Sequence, residues 1–138
     1  LISPWADVKM DVHDIPMEDN TFDVVICNHV LEHVDDSHKV MTEFYRVMRP
    51  GGWGIFQVPI DTNNPNTEED KSVTDPKERE RLYWQDDHLR LFGLDYGKKL
   101  EAAGFKVTES NFINELDPKL VERYALPKGE IIYFCEKK

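Results

Sequence analysis

Positive charge is the scarcer sign in this sequence. Lys and Arg number 17 against 27 Asp and Glu, which gives a formal net charge of -10 and an isoelectric point near 4.9. Nucleic acid and anionic membrane surfaces both require a basic face, so neither is expected as a partner. Cysteine is scarce as well. Cys27 and Cys135 are the only two, and each sits in an apolar, strand-like run. Buried free thiols are expected rather than a disulfide, with a reducing cytoplasm as the setting. No apolar run is long enough to span a bilayer, and no secretory leader is recognisable. There is no internal repeat and no domain linker. The first residue is Leu1 rather than Met, so the chain is expected to be processed or cut from something longer.

What is there suffices for one globular domain. Of 138 residues, 40% are hydrophobic and 11% aromatic, enough for a core but not for two. The organising stretch is Phe22 to Gly52. It opens with Val24-Val25-Ile26-Cys27, a β-branched run that predicts a strand buried on both faces of a parallel sheet. The polar residues Asn28, His29, Glu32 and His33 follow at once. That order puts them at the carboxyl end of the strand, where ligands bind in α/β proteins. A helix is predicted over Ser37 to Met48, with Val40, Met41, Phe44, Val47 and Met48 on one face. Asp35, Asp36 and Ser37 are cap candidates, Arg46 and Arg49 suit the other end of the helix dipole, and Pro50-Gly51-Gly52 stops it. Trp53 to Val58 is the next strand, parallel to the first in a βαβ unit.

The flanks are read in the same way. Leu1 to Ala6 reads as a loop, Asp7 to Asp11 as a short strand, and His13 to Thr21 as a loop with a turn. Asp61 to Asp75 is a polar loop. Asp75-Pro76 opens a charged helix to about Trp84. Asp95 to Ala103 is a helix stopped by Gly104. Phe105 to Phe112 and Ile131 to Cys135 are strands, and Asp117-Pro118 caps a short helix to about Tyr124.

Three groups of residues could carry chemistry. His29-x-x-Glu32-His33 matches the inverted zinc-protease pattern, in which two imidazoles share one helix face and the glutamate is the base. The helix signals begin only after Asp36, so the preferred reading makes His29 and His33 polar groups at the lip of a cleft. No metal is assigned, and a zinc hydrolase stands as an alternative. Asp11, at a strand end, could accept a hydrogen bond from an amino group such as adenine's, or be an ordinary turn aspartate. Pro50-Gly51-Gly52 lacks the lysine and threonine of a phosphate loop and ends a helix rather than starting one, so its role is structural.

Taken in order, these segments resemble a family. Asp11-x-x-x-Ile15-Pro16, Phe22-Asp23-Val24-Val25, His29-Val30-Leu31-Glu32-His33-Val34 and Glu43 through Gly52 resemble the class I S-adenosylmethionine-dependent methyltransferases. His88 to Phe92 and Leu100 to Phe105 look like the same family's closing helix and strand. The resemblance implies an α/β, doubly wound, Rossmann-like sheet with helices on both faces and a C-terminal antiparallel hairpin. It implies methyl transfer from S-adenosylmethionine to a small-molecule acceptor. Asp11 would face the adenine amino group, with the backbone at Val12 against the ring. Asn28 and His29 would lie along the methionine part. His29, His33 and His88 are the available bases, needed only for a hydroxyl or protonated-amine acceptor. Asp61 to Trp84 would be a lid or substrate-recognition insert.

Against that family, one part is missing. These 138 residues contain no glycine-rich loop between a first strand and first helix, and no strand ending in a ribose-binding acid. Leu1 and Ile2 would fall just after that acid and so among the cofactor-facing residues. The chain therefore resembles the C-terminal part of a single methyltransferase domain, incomplete on its N-terminal side. Weak or absent cofactor binding, or a non-catalytic interaction role, would follow. The Val24 to Cys27 strand would be left with a bare edge, which favours self-association.

Overall fold

The computed structural model describes residues 6–127 and 129–138. Leu1 and Ile2 lie outside the described residues. The chain forms a four-stranded mixed sheet in the order β1-β2-β6-β5. β1 (Phe22–Asn28) and β2 (Met48–Gln57) are parallel, joined by α1 (Ser37–Val47). β5 (Lys106–Ser110) and β6 (Ile132–Glu136) form the expected antiparallel hairpin, with β6 also antiparallel to β2. A small ribbon of β3 (Glu68–Glu69) and β4 (Arg90–Leu91) lies apart from this sheet. α2 (Pro76–Tyr83), α3 (Tyr96–Ala102) and α4 (Pro118–Arg123) complete the fold.

The helices begin where their caps dictate. The carboxylates of Asp36, Asp75 and Asp117 accept from the backbone N–H of Lys39, Lys77 and Lys119, each satisfying a donor the helix cannot. Val40, Met41, Phe44 and Val47 of α1 are buried, as their spacing predicts. They meet Phe56, Tyr96, Leu100, Phe105 and Tyr133 in one core. Phe56 is at its centre, stacked on Phe44 and tilted against Phe105, both with centroids 5.2 Å away. The buried Tyr96 hydroxyl donates to the Phe56 carbonyl at 2.9 Å.

Four expectations need correction. Asp7 to Asp11 is not a strand: only an isolated bridge joins Asp11 to Asp14, because no neighbouring strand offers these residues a ladder. The strand after α1 starts at Met48 rather than Trp53, so Pro50 to Gly52 lies within β2. Phe22 pairs with Met48 but Val24 with Trp53, so extra residues of β2 bulge out here. Gly51 supplies the left-handed backbone (φ 79°) that the bulge requires. β1 is not buried on both faces. It is an edge strand among the described residues, with Val24 39% and Ile26 61% exposed. α1 and α3 touch each other on one face of the sheet, and no described helix covers β1 on the other. Finally, β5 stops at Ser110, and Phe112–Glu115 form a 3₁₀ turn.

Two long-range ties hold the βαβ unit. Arg46 donates to both oxygens of Glu43, to the carbonyls of Ile15 and Met17, and to Asp19, pinning the loop before β1 onto α1. Lys137 reaches back to the end of α1. Its ammonium donates to the carbonyls of Tyr45 (2.8 Å) and Arg46 (3.3 Å) and lies over the Tyr45 ring, while its backbone bonds the bulge at Gly51 and Gly52.

Phe56→Ala is expected to lower stability by about 3–5 kcal/mol, the usual cost of truncating a fully buried aromatic. The urea unfolding midpoint reads this, and a loss under about 1 kcal/mol would contradict the placement of Phe56 at the core's centre.

Candidate functional site

β1 and β2 end together, with Asn28 beside Gln57. The next residue turns sharply. His29 donates its backbone N–H to the Gln57 carbonyl at 2.8 Å and adopts φ 55°, a left-handed conformation that costs a non-glycine residue about 1–2 kcal/mol. The chain then runs through turns from Val30 to Asp35 before α1 begins.

What shapes those turns is Arg90. It is only 1% exposed, and its guanidinium donates to the carbonyls of Leu31 (2.6 Å), Val34 (2.5 Å) and Asp35 (3.2 Å). Its remaining donors form a two-pronged pair with Glu69, at 3.1 and 3.0 Å. A second tie, Leu89 N–H to the Glu32 carbonyl at 2.9 Å, runs between the same two segments. Sequence reasoning missed Arg90 and Glu69. The available signal was a lone cation inside the apolar run Leu89-Arg90-Leu91-Phe92.

The polar residues expected at the strand end separate into different surroundings. Asn28 and His29 are exposed, and His29 lies on the lip of a cleft of about 340 Å³. Gln57, Ile60, Thr62, Trp84 and Glu130 are among the other walls of that cleft. Its size suits a small organic ligand. Gln57 is held by donating to Glu130 and to the Ile131 carbonyl, and by accepting from the Tyr133 N–H. Thr62 and Trp84 place both ends of the 61–84 segment on this cleft.

Asp11 and Val12 lie elsewhere, on a broad open hollow of about 780 Å³ that they share with Met10, Val30, His33 and Val34. Asp11 is a turn aspartate in part. Its Oδ1 accepts from the backbone and ring of His13, at 2.9 and 2.8 Å. Those bonds, the backbone one chief among them, hold its carboxyl below the usual range.

Below the lip, Glu32 and His88 are each 1% exposed, and His33 is half-buried between them and the surface. The rings of His33 and His88 meet edge to face at 4.7 Å. The His29–His33 pair of a zinc-protease helix is not formed, because Val30 to Asp35 is turned rather than helical. Both cysteines are free. Burial pushes the Cys27 thiol up to about 12, with the Glu32 carboxylate adding to the effect, and burial alone does the same for Cys135. Neither thiol is a nucleophile at neutral pH. No helix among the described residues is long and apolar enough to cross a membrane.

Residues 4–56 match the family described as methyltransferase domain. A ubiquinone/menaquinone biosynthesis C-methyltransferase of Desulfotalea psychrophila is 45% identical over 55 residues, covering 40% of this chain and 21% of that protein. A sterol 4-C-methyltransferase of Caenorhabditis elegans is 40% identical over 57 residues, covering 41% and 17%. The chain spans about a fifth of the length of the curated relatives it matches. Among solved structures, a methyltransferase-type protein of Bacillus halodurans aligns over 95% of this chain and 77% of its own, with 19% identity and a TM-score of 0.57. The [4+2]-cyclase SpnF aligns over 93% and 55%, with 19% identity and a TM-score of 0.61. A cyclase and a methyltransferase-type protein thus share this fold, and the fold alone does not specify a reaction.

Arg90→Met is expected to cost at least about 3 kcal/mol, because it strands three carbonyls and a carboxylate. A pH series tests the same contact. Hydrogen bonds from Arg90 hold the Glu69 carboxyl below its ordinary 4.5. Its contribution to stability is therefore complete above that pH and lost as pH falls through the lower folded-state value. Glu69→Gln should flatten this acid limb of the unfolding midpoint, and an unchanged limb would contradict the pairing.

Proposed function

We propose that the chain belongs to the class I S-adenosylmethionine-dependent methyltransferases, which its match to the methyltransferase-domain family and its fold support, and that the protein it forms part of transfers a methyl group from S-adenosylmethionine to a small-molecule acceptor. The observation that carries this reading is the match over residues 4–56, which spans β1, its polar end and α1 and reaches into β2. When bound, the cofactor supplies an electrophilic methyl group on a sulfonium.

The residues present fit such a ligand. Asp11 uses only Oδ1 in its bonds to His13, which leaves Oδ2 for an adenine amino group, and Val12 lies beside it on the open hollow. Asn28 and the left-handed His29 end the strand where a methionine moiety would lie. The acceptor enters the cleft beside His29, with the 61–84 segment as its lid. Trp84, 52% exposed, and Thr62 give that cleft an apolar wall and a hydroxyl. Holding two reactants in line supplies most of the acceleration in such a transfer. His29 is the base positioned for an acceptor that must lose a proton, since its ring is exposed at the cleft while His88 is sealed.

The charge balance favours a neutral or cationic small acceptor over nucleic acid. The exposed β1 edge favours a second chain as partner, with backbone donors and acceptors left open beside Val24 and Ile26.

Two measurements follow. With S-adenosylmethionine at about millimolar concentration, amide resonances of Asp11, Val12, Asn28 and His29 are expected to shift while those of α4 stay still. Affinity is expected to be weak, because the glycine-rich loop is not among these residues, and unmoved resonances at the four positions would overturn the reading. In sedimentation equilibrium the chain is expected to self-associate, and Ile26→Lys to abolish it. A monomeric parent chain would remove the edge-pairing proposal and leave the methyl-transfer reading intact.

A further inference from the structure

Beneath the lip of the cleft, Glu32, His33 and His88 converge, and of the atoms they turn toward one another only the outer oxygen of Glu32, Oε1, has a hydrogen-bond partner among the described residues, His29 Nδ1 at 3.2 Å. Glu32 Oε2 and His88 Nε2 are both buried, and neither has a hydrogen-bond partner among the described residues. The tautomer of His88 follows from its other nitrogen. Nδ1 lies 2.8 Å from the Tyr83 carbonyl, which can only accept, so Nδ1 carries the proton and Nε2 presents a lone pair. His33 repeats the arrangement. Its Nδ1 faces the Asp87 carboxylate at 3.3 Å, and its Nε2 faces Glu32 Oε1 at 4.0 Å. Glu32, His33 and His88 each place a ligand atom within 4.8 Å of the others.

A carboxylate and two imidazole lone pairs turned toward one point repel unless something positive lies among them. One proton shared between Glu32 Oε2 and His88 Nε2 would pair those two and leave His33 outside the contact. A cation satisfies all three together. The groups behind the imidazoles are of the kind that metal-binding histidines use: a backbone carbonyl behind His88, which fixes the tautomer that frees its Nε2, and the Asp87 carboxylate near His33 Nδ1. Arg90 and the Leu89–Glu32 bond hold the two contributing segments at fixed distance, so the three groups are positioned before any ion arrives.

We propose that Glu32, His33 and His88 form a binding site for a divalent transition-metal ion. Two imidazoles and one carboxylate suit zinc or manganese, and three protein ligands leave coordination positions open. His33, on the wall of the Asp11 hollow, and His29, whose Nδ1 is 3.2 Å from Glu32 Oε1, lie on the outward side of the cluster. This triad is not the His29–His33 helix pair of the protease pattern, since it recruits His88 from 55 residues further along the chain. It does not depend on the methyl-transfer reading.

The test is metal titration without any methyl donor. The purified chain is stripped with a chelator and titrated with zinc chloride or manganese chloride, and the retained metal is counted after desalting. One equivalent is expected, with affinity at least about tenfold weaker in Glu32→Gln, His33→Asn and His88→Asn. Melting curves establish that each variant is folded. His33 is half-exposed, so His33→Asn tests the ligand without opening the core, and the proposal stands or falls on it if the other two unfold. Absence of saturable binding by the parent chain, or undiminished binding by His33→Asn, overturns the site.

Discussion

The buried guanidinium of Arg90 is the interaction on which the functional end of this molecule depends. A planar group with five donors meets three loop carbonyls and one carboxylate. Those carbonyls belong to turns that have no helix or strand to satisfy them, so without a donor from elsewhere they would have to face water. Arg90 comes from the β3–β4 ribbon and thereby makes that ribbon part of the wall around the strand end. Arg46 does the corresponding work on the other flank of β1, tying the 15–19 loop to α1. Both loops that border the carboxyl and amino ends of β1 are thus shaped by a distant arginine rather than by their own sequence.

That division explains what was legible in the residues. The βαβ unit was, because its information is local: a β-branched run, an apolar face at helical spacing and an aspartate cap are each visible within a dozen residues. The two final strands and α3, with Gly104 at φ 110° as its stop, were legible for the same reason, whereas the antiparallel pairing of those strands came only with the family resemblance. The cluster of Glu32, His33 and His88 was only half visible. The motif named its first two members, but His88 joins them because Arg90 and Leu89 lash its segment to the loop. The burial of β1 was misjudged because a β-branched run states what a strand could bury. What actually covers it is a property of its neighbours.

The cleft beside His29 concentrates backbone strain. His29 and Trp84 both hold left-handed conformations that non-glycine residues seldom adopt, at φ 55° and 72°, and both line the same cavity. One ends the run of β1 and the other ends α2, so two elements deliver a side chain to the cleft at the cost of a strained residue each. Such positions persist only where the surroundings fix them. Here Gln57 does so for His29, through its backbone carbonyl, and the Glu80 carbonyl does so for Trp84.

The clasp made by Lys137 bears on how this chain can fold. The Tyr45 and Arg46 carbonyls near the end of α1 accept from a residue more than ninety positions later, and the bulge in β2 is closed by the same residue. Such contacts carry a high loop-closure cost and form late. The part of the chain with the most recognisable sequence therefore depends for its last contacts on a residue at the far end of the chain. Its bulge and the Tyr45 carbonyl stay unpaired until the last strand arrives, so recognisability and independence belong to different lengths of the same polypeptide.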